Sequence, residues 1–232
     1  MLRQKKFTRN EIHSVSVAEV IDFINNYRLH SGPGAKPGGF FDKRAIQTIL
    51  QQPNAVGMRY YYGLKDNGLP VLVLVATNAD RNDLIDGEPV KVSILNPPVS
   101  AQGTYDFAHV SHDISLEEAA RLTTNYRKRK DHRQPIDGFF GKMAVQNILK
   151  QPECVGIRFY FGLNKDAIHV LVMMGVNQFC SEMFSGRLIE ISASCPPLCG
   201  ALNLLKRGFH SKTEYKMQGK YADKNYYEAI IA

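Results

Sequence analysis

Hydrophobic and polar positions along this chain fall into two periods. Val17, Val20, Ile21 and Ile24 recur at helical spacing, and after a Gly- and Pro-rich loop over 32–39 so do Ala45, Ile46, Ile49 and Leu50. The first helix opens at Ser16-Val17-Ala18-Glu19, a capping box whose hydroxyl and carboxylate satisfy free amide donors, and runs to about Arg28. The second stops at Pro53, because proline cannot extend a helical hydrogen-bond ladder. Past Pro53 the period falls to two. Met58, Tyr60 and Tyr62 project to one side of a strand, and Arg59 and Tyr61 to the other. Asp66-Asn67-Gly68 predicts a hairpin turn, 71–75 a buried return strand, and 90–95 a third strand ending at Pro97-Pro98.

The same order returns 99 residues later. Residues 16–98 laid on 115–197 need no gap and give 29 identities in 83 positions. Ser115-Leu116-Glu117-Glu118 repeats the capping box, Gly138-Phe139-Phe140 repeats Gly39-Phe40-Phe41, and Pro152 repeats Pro53. Such self-similarity marks one supersecondary unit used twice. The expected organisation is a basic N-terminal arm (1–15), a first repeat (16–98), a linker (99–114), a second repeat (115–197), and a C-terminal short helix with a basic tail (198–232). The arm is expected to fray. Each repeat reads helix, helix, strand, strand, strand. The fold class expected is α+β: a tandem duplication with an antiparallel sheet, helices on one face, and a pseudo-twofold arrangement. The two Phe-Phe pairs are read as core anchors that clamp a loop onto the sheet.

The net charge of +7 invites a nucleic-acid partner, but the excess is scattered along the chain. The one true basic cluster holds Arg127, Lys128, Arg129, Lys130 and Arg133. Its counterpart in the first repeat is not basic, and cations at a helix C-terminus are favoured by the helix dipole in any case. The longest strictly apolar run, Val71 to Ala76, is far short of the roughly 20 residues of a membrane-spanning helix. No apolar segment follows the basic start, so no signal peptide is read. A cytoplasmic protein without a membrane span is expected.

All four cysteines, Cys154, Cys180, Cys195 and Cys199, fall in the second half. Two thiolates on the rigid turn Cys195-Pro196-Pro197-Leu198-Cys199 present part of a zinc shell, or a redox pair if the sulfurs approach. The aligned residues Ala55, Arg81, Asn96 and Ser100 show that the unit itself does not require them, and plain thiols are the simplest reading. No cofactor is expected, with zinc as the alternative. The stretch Gly156-Ile157-Arg158-Phe159-Tyr160-Phe161-Gly162, with 170–172 and the Cys195 to Cys199 turn, resembles small bacterial hypothetical proteins that carry a Gly-x-Arg-x-Tyr-x-Gly strand and a terminal Cys-Pro-Pro-x-Cys. No activity comes with that resemblance. The first repeat departs from it, with Asn96-Pro97-Pro98-Val99-Ser100 in place of the cysteine turn.

No nucleophile elbow, catalytic triad or paired-acid motif is present, and the 32–39 loop lacks the Gly-Lys-Ser/Thr of a phosphate cradle, so catalysis is not the expected class. Arg59 with Tyr61 and Arg158 with Tyr160 are the candidate ligand-binding residues, since a guanidinium fork beside a phenol suits a carboxylate or phosphate. The alternative is that each arginine stem packs across its sheet and the head pairs internally. The expectation is a non-catalytic binding or interaction protein built from two homologous modules, its partner a protein or a small anionic ligand. A metal- or thiol-dependent role of the second repeat and nucleic-acid binding through the basic segments are the alternatives.

Overall fold

The computed structural model describes residues 7–8, 10, 15–32, 35–86, 89–96, 100–106, 110–129, 134–183, 190–195 and 201–207. The fold is α+β, with antiparallel sheets and packed helices. In the first half, α1 (Val17–Ser31) leads to β1 (Gly38–Asp42), α2 (Lys43–Leu50), β2 (Gly57–Leu64), β3 (Pro70–Thr77), β4 (Asp83–Leu84) and β5 (Val90–Val92). The second half begins with β6 (Asp113–Ile114) and α3 (Leu116–Arg129), followed by β7 (Asp137–Gly141) and α4 (Lys142–Leu149). It continues through β8 (Cys154–Leu163), β9 (His169–Asn177), β10 (Glu190–Ile191), β11 (Ala193–Cys195) and α5 (Leu204–Arg207). The sequence signals act locally as expected. Ser16 and Glu19 form both bonds of the capping box, whereas in α3 only Ser115 caps, accepting the Glu118 amide at 3.0 Å.

The Phe-Phe segments differ from the expectation: they are strands β1 and β7, so each half has a strand between its two helices and four strands after the second helix. They also cross over. β1 pairs with β8 of the other half (Phe40 opposite Arg158), and β7 pairs with β2 (Phe139 opposite Arg59). Each pairing is the other shifted by 99 residues, the reciprocity of an isologous contact. Gly57 and Gly156 have one reason for lacking a side chain. A Cβ at Gly57 would lie 2.4 Å from the Phe139 ring, and one at Gly156 2.6 Å from the Phe40 ring.

Two sheets result, one ordered β1-β8-β9-β10 and one β11-β7-β2-β3-β5-β6, with β4 on β3. They join at both edges. Past β5, Ile94 bridges to Phe40 on β1, and at the other seam the chain passes from β10 directly into β11. The inner faces and α2 and α4 share one core, including Ile46, Ile49, Met58, Tyr60, Val145, Ile148, Phe159 and Phe161. Tyr62 and Phe161, related by the 99-residue offset, meet there at 5.9 Å between ring centres. The outer faces carry the long helices: Val20 of α1 packs with Val172 and Met174, and Ala119, Ala120 and Leu122 of α3 pack with Tyr61, Val71 and Val73. Helices therefore lie on both faces, not one, because the short pair fills the interior while the long pair covers the outside.

The arm is docked at Phe7, contrary to the expectation of fraying. Its amide bonds the Ala79 carbonyl at 3.0 Å, and its ring stacks on Phe139 at 3.8 Å. Tyr105, in the segment read as a linker, does the corresponding thing, with its amide on the Gln178 carbonyl at 2.7 Å and its ring on Phe40 at 5.5 Å. No helix among the described residues is long and apolar enough to cross a membrane. The tail after Arg207 lies outside the described residues.

Candidate functional site

Alternation along β2 and β8 turns Arg59 and Tyr61, and Arg158 and Tyr160, onto the outer faces of their sheets, beneath α3 and α1 respectively. Arg59 is wholly buried. Its Nε donates to Asp83 Oδ1 at 2.8 Å, Nη1 donates to Asp137 Oδ1, and Nη2 donates to the Arg81 carbonyl at 3.0 Å. Tyr61 donates its hydroxyl to Asp83. Burial alone would lower the pKa of Arg59, but the carboxylates of Asp137 and Asp83 more than reverse this and hold it above its ordinary value. Burial, and next the Asp83 charge, push the Tyr61 phenol well up. Burial also raises the Asp137 carboxyl, despite Arg59 beside it.

This first cluster is closed by the chain's own C-terminal segment. Asn203 donates to Asp83 Oδ2 at 2.6 Å, and Lys206 Nζ stands 3.9 Å from Asp137 Oδ2. Leu204 and Leu205 pack into the apolar cluster of Tyr61, Ala119 and Ala120. Burial lowers the Lys206 pKa. Arg127 holds α5 from the other side, with Nη1 on the Leu205 carbonyl.

The second cluster repeats the plan in more open form. Arg158 Nη1 donates to Glu182 Oε1, and the Tyr160 hydroxyl donates to the same oxygen at 2.5 Å. Glu182 stands 99 residues after Asp83, and Gly38 takes the place corresponding to Asp137. The Arg158 side chain is 18% exposed and that of Glu182 is 22% exposed. Arg158 Nε is buried without a hydrogen-bond partner. Burial, then the bond to Glu182, push the Tyr160 phenol up to about 12. Burial would raise Glu182, but Tyr160 and Arg158 hold it below the usual carboxylate range. On α1, which packs on β8, Val17 is 43% and Ile21 52% exposed, although Ala120, the residue corresponding to Ile21, is fully buried.

The structure thus brings each Arg-x-Tyr pair onto an acid 24 residues after the arginine, which motif reading missed. The signal was available: Asp83 and Glu182 are both acidic at the repeat offset. Cys154 is buried and directs its thiol to the Gly156 carbonyl at 3.3 Å, and Cys180 is a half-buried thiol beside Arg158. Burial raises both pKa values. Cys195 is disulfide-bonded and so offers no thiolate to a metal, and Cys199 lies outside the described residues. No group of three or more metal-type ligands occurs among the described residues. Of the basic cluster, Arg127 is engaged by α5, Lys128 and Arg129 are exposed at the end of α3, and Lys130 and Arg133 lie outside the described residues.

No protein family matches the chain, and no curated protein or solved structure matches it.

Proposed function

We propose that the protein is a non-catalytic interaction protein, a tandem duplication of one unit whose Arg/Tyr/acid face receives a short peptide segment. The first face is filled by the chain itself, through Asn203, Leu204, Leu205 and Lys206. The second face, built from Arg158, Tyr160 and Glu182 with Val17 and Ile21 of α1, is the one that serves a partner. The observation that carries this reading is the difference between the two: Arg59 has three nitrogens bonded and no exposure, whereas Arg158 keeps a buried, unpartnered Nε, and α1, which packs on the same strand, carries the exposed Val17 and Ile21. An orphaned guanidinium donor costs free energy until an acceptor reaches it.

The partner segment is defined by the same comparison. It carries two adjacent aliphatic residues for Val17 and Ile21, an amide donor for Glu182, and a carbonyl or carboxylate for Arg158 Nε. A lysine is not needed, since Gly38 stands where Asp137 would hold one. A peptide of sequence 201–207 with a free carboxyl end is the natural first probe. Titrated onto the full chain under NMR, it is expected to shift resonances around Ile21, Arg158 and Glu182, and Arg158→Met and Ile21→Glu are each expected to remove the shifts. A small anion held by Arg158 alone is the competing reading. Acetate or phosphate would then produce the shifts and Ile21→Glu would leave them intact, which would overturn the peptide reading.

A further inference from the structure

The loops that follow α1 and α3 each lie against a β-hairpin, and only one of the two contacts is locked. In the second half the Gln134 side chain donates from Nε2 to the Ala167 carbonyl at 2.8 Å and accepts the His169 N–H on Oε1 at 2.8 Å. The corresponding residues of the first half are Ala35, Gly68 and Pro70. Ala35 has no side-chain amide to offer, and Pro70 has no N–H to donate, so neither bond exists. In place of the lock there is an open cavity of about 580 Å³, lined by residues that include Tyr27, Ser31, Lys36, Asn67, Leu69 and Pro70. That volume lies within the range of small-molecule sites, about 300–1,000 Å³.

The chemistry of the lining is one-sided. Tyr27, packed on Phe161 at 5.6 Å, supplies a flat aromatic wall, and Leu69 and Pro70 add apolar surface. Lys36 is exposed and forms no described ion pair. Asn67 accepts the Leu69 amide on Oδ1 at 3.1 Å, which leaves its Nδ2 as a donor. The Arg129 guanidinium approaches the same hairpin, 3.9 Å from where a Cβ on Gly68 would stand. Among the described residues no acid belongs to the lining.

We infer that this cavity binds a small organic acid, its carboxylate or phosphate held by Lys36 and the Asn67 amide, and its flat apolar body laid between Tyr27 and Pro70. The site arises from the loss of the Gln134-type lock in the first half and is independent of the Arg158 face. The test uses 1-anilinonaphthalene-8-sulfonate, whose anionic group and fused rings match that chemistry, in a fluorescence titration of the full chain. One probe per chain is expected. Lys36→Glu is expected to weaken binding about tenfold or more, the loss of one charge-assisted contact. Ala35→Gln with Pro70→His, which restores both partners of the lock, is expected to abolish binding while the far-ultraviolet dichroism is unchanged. Should that double variant fail to fold, Lys36→Glu decides alone, because Lys36 is exposed and can be changed without touching the core. Wild-type affinity in Lys36→Glu or in the folded double variant would overturn the inference. Benzoate and phenyl phosphate, as competitors, show which oxyanion fits better, and displacement by neither would also overturn it.

Discussion

At Arg59 the free energy of a buried ion cluster rests on one side chain. Replacing it by methionine leaves Asp83 buried without a cation and Asp137 with only the more distant Lys206, a loss of about 3–5 kcal/mol by the usual cost of breaking a buried pair. Arg158→Met removes a pair that is partly open to solvent, and a smaller loss, about 1 kcal/mol, is expected. Urea unfolding of both variants, read as a change in midpoint at constant slope, measures the difference. Equal losses would show that the two arginines do the same work and would remove the distinction on which the peptide face rests. In the sequence the two residues are indistinguishable, each flanked by glycine and followed by a tyrosine at the second position. What separates them is Asp137 against Gly38, and each of these stands opposite its tyrosine on a strand supplied by the other half of the chain. No period or local motif carries that kind of contact.

Among the elements, the helices and the β2–β3 and β8–β9 hairpins were legible because their signals are local: a cap, a stripe, a turn. β1 and β7 were not. Five residues wholly buried on both faces show no alternation, and two adjacent phenylalanines fit a loop anchor as well as a strand. The seam that closes the sheets was also hidden, since it depends on a buried histidine in a segment without pattern. His112 accepts the Asp42 amide on Nε2 at 3.2 Å and donates from Nδ1 to the Val92 carbonyl at 2.9 Å, which ties β1 to β5. The bond from the Asp42 amide requires the neutral ring, since a protonated Nε2 cannot accept. Burial lowers the His112 pKa below its ordinary value, with the bond to the Val92 carbonyl, Asp42 and Asp113 opposing and Lys91 acting in the same direction. The unfolded chain therefore takes up the proton first as pH falls, so stability present near pH 7 is lost on acidification through about 6.5 and below. The slope from this group reaches at most about 1.4 kcal/mol per pH unit. His169, also lowered by burial, adds a slope of the same sign. Urea unfolding at pH 7.5, 6.5 and 5.5 is expected to show a flatter profile in His112→Gln, whose amide can serve both partners without titrating. An unchanged profile would show that His112 does not hold the seam in neutral form.

For the whole molecule, the exchange of β1 and β7 has a consequence that neither sheet shows alone. A chain of residues 1–114 keeps β1 but loses β8, and keeps β2 but loses β7. The missing partners have close equivalents within the fragment itself. β2 of a second copy carries the same Gly57, Arg59 and Tyr61 that β8 presents as Gly156, Arg158 and Tyr160, and β1 carries the Gly39-Phe40-Phe41 that β7 presents as Gly138-Phe139-Phe140. The fragment is therefore expected to fold as a homodimer that reproduces the crossed pairing twice. Two contacts would be missing: Asp137, since Gly38 would face Tyr61, and the α5 segment that closes the first cluster. Arg59 would keep Asp83 but lose its second carboxylate, which makes the dimer weaker than the intact chain. Light scattering with circular dichroism over a dilution series tests this. Helical and sheet signal should appear together with a doubled mass and disappear on dilution, by mass action. A fragment that stays folded as a monomer at low concentration would mean that the halves do not depend on each other's strands, and the reading of the molecule as one unit used twice and interlocked would fail with it.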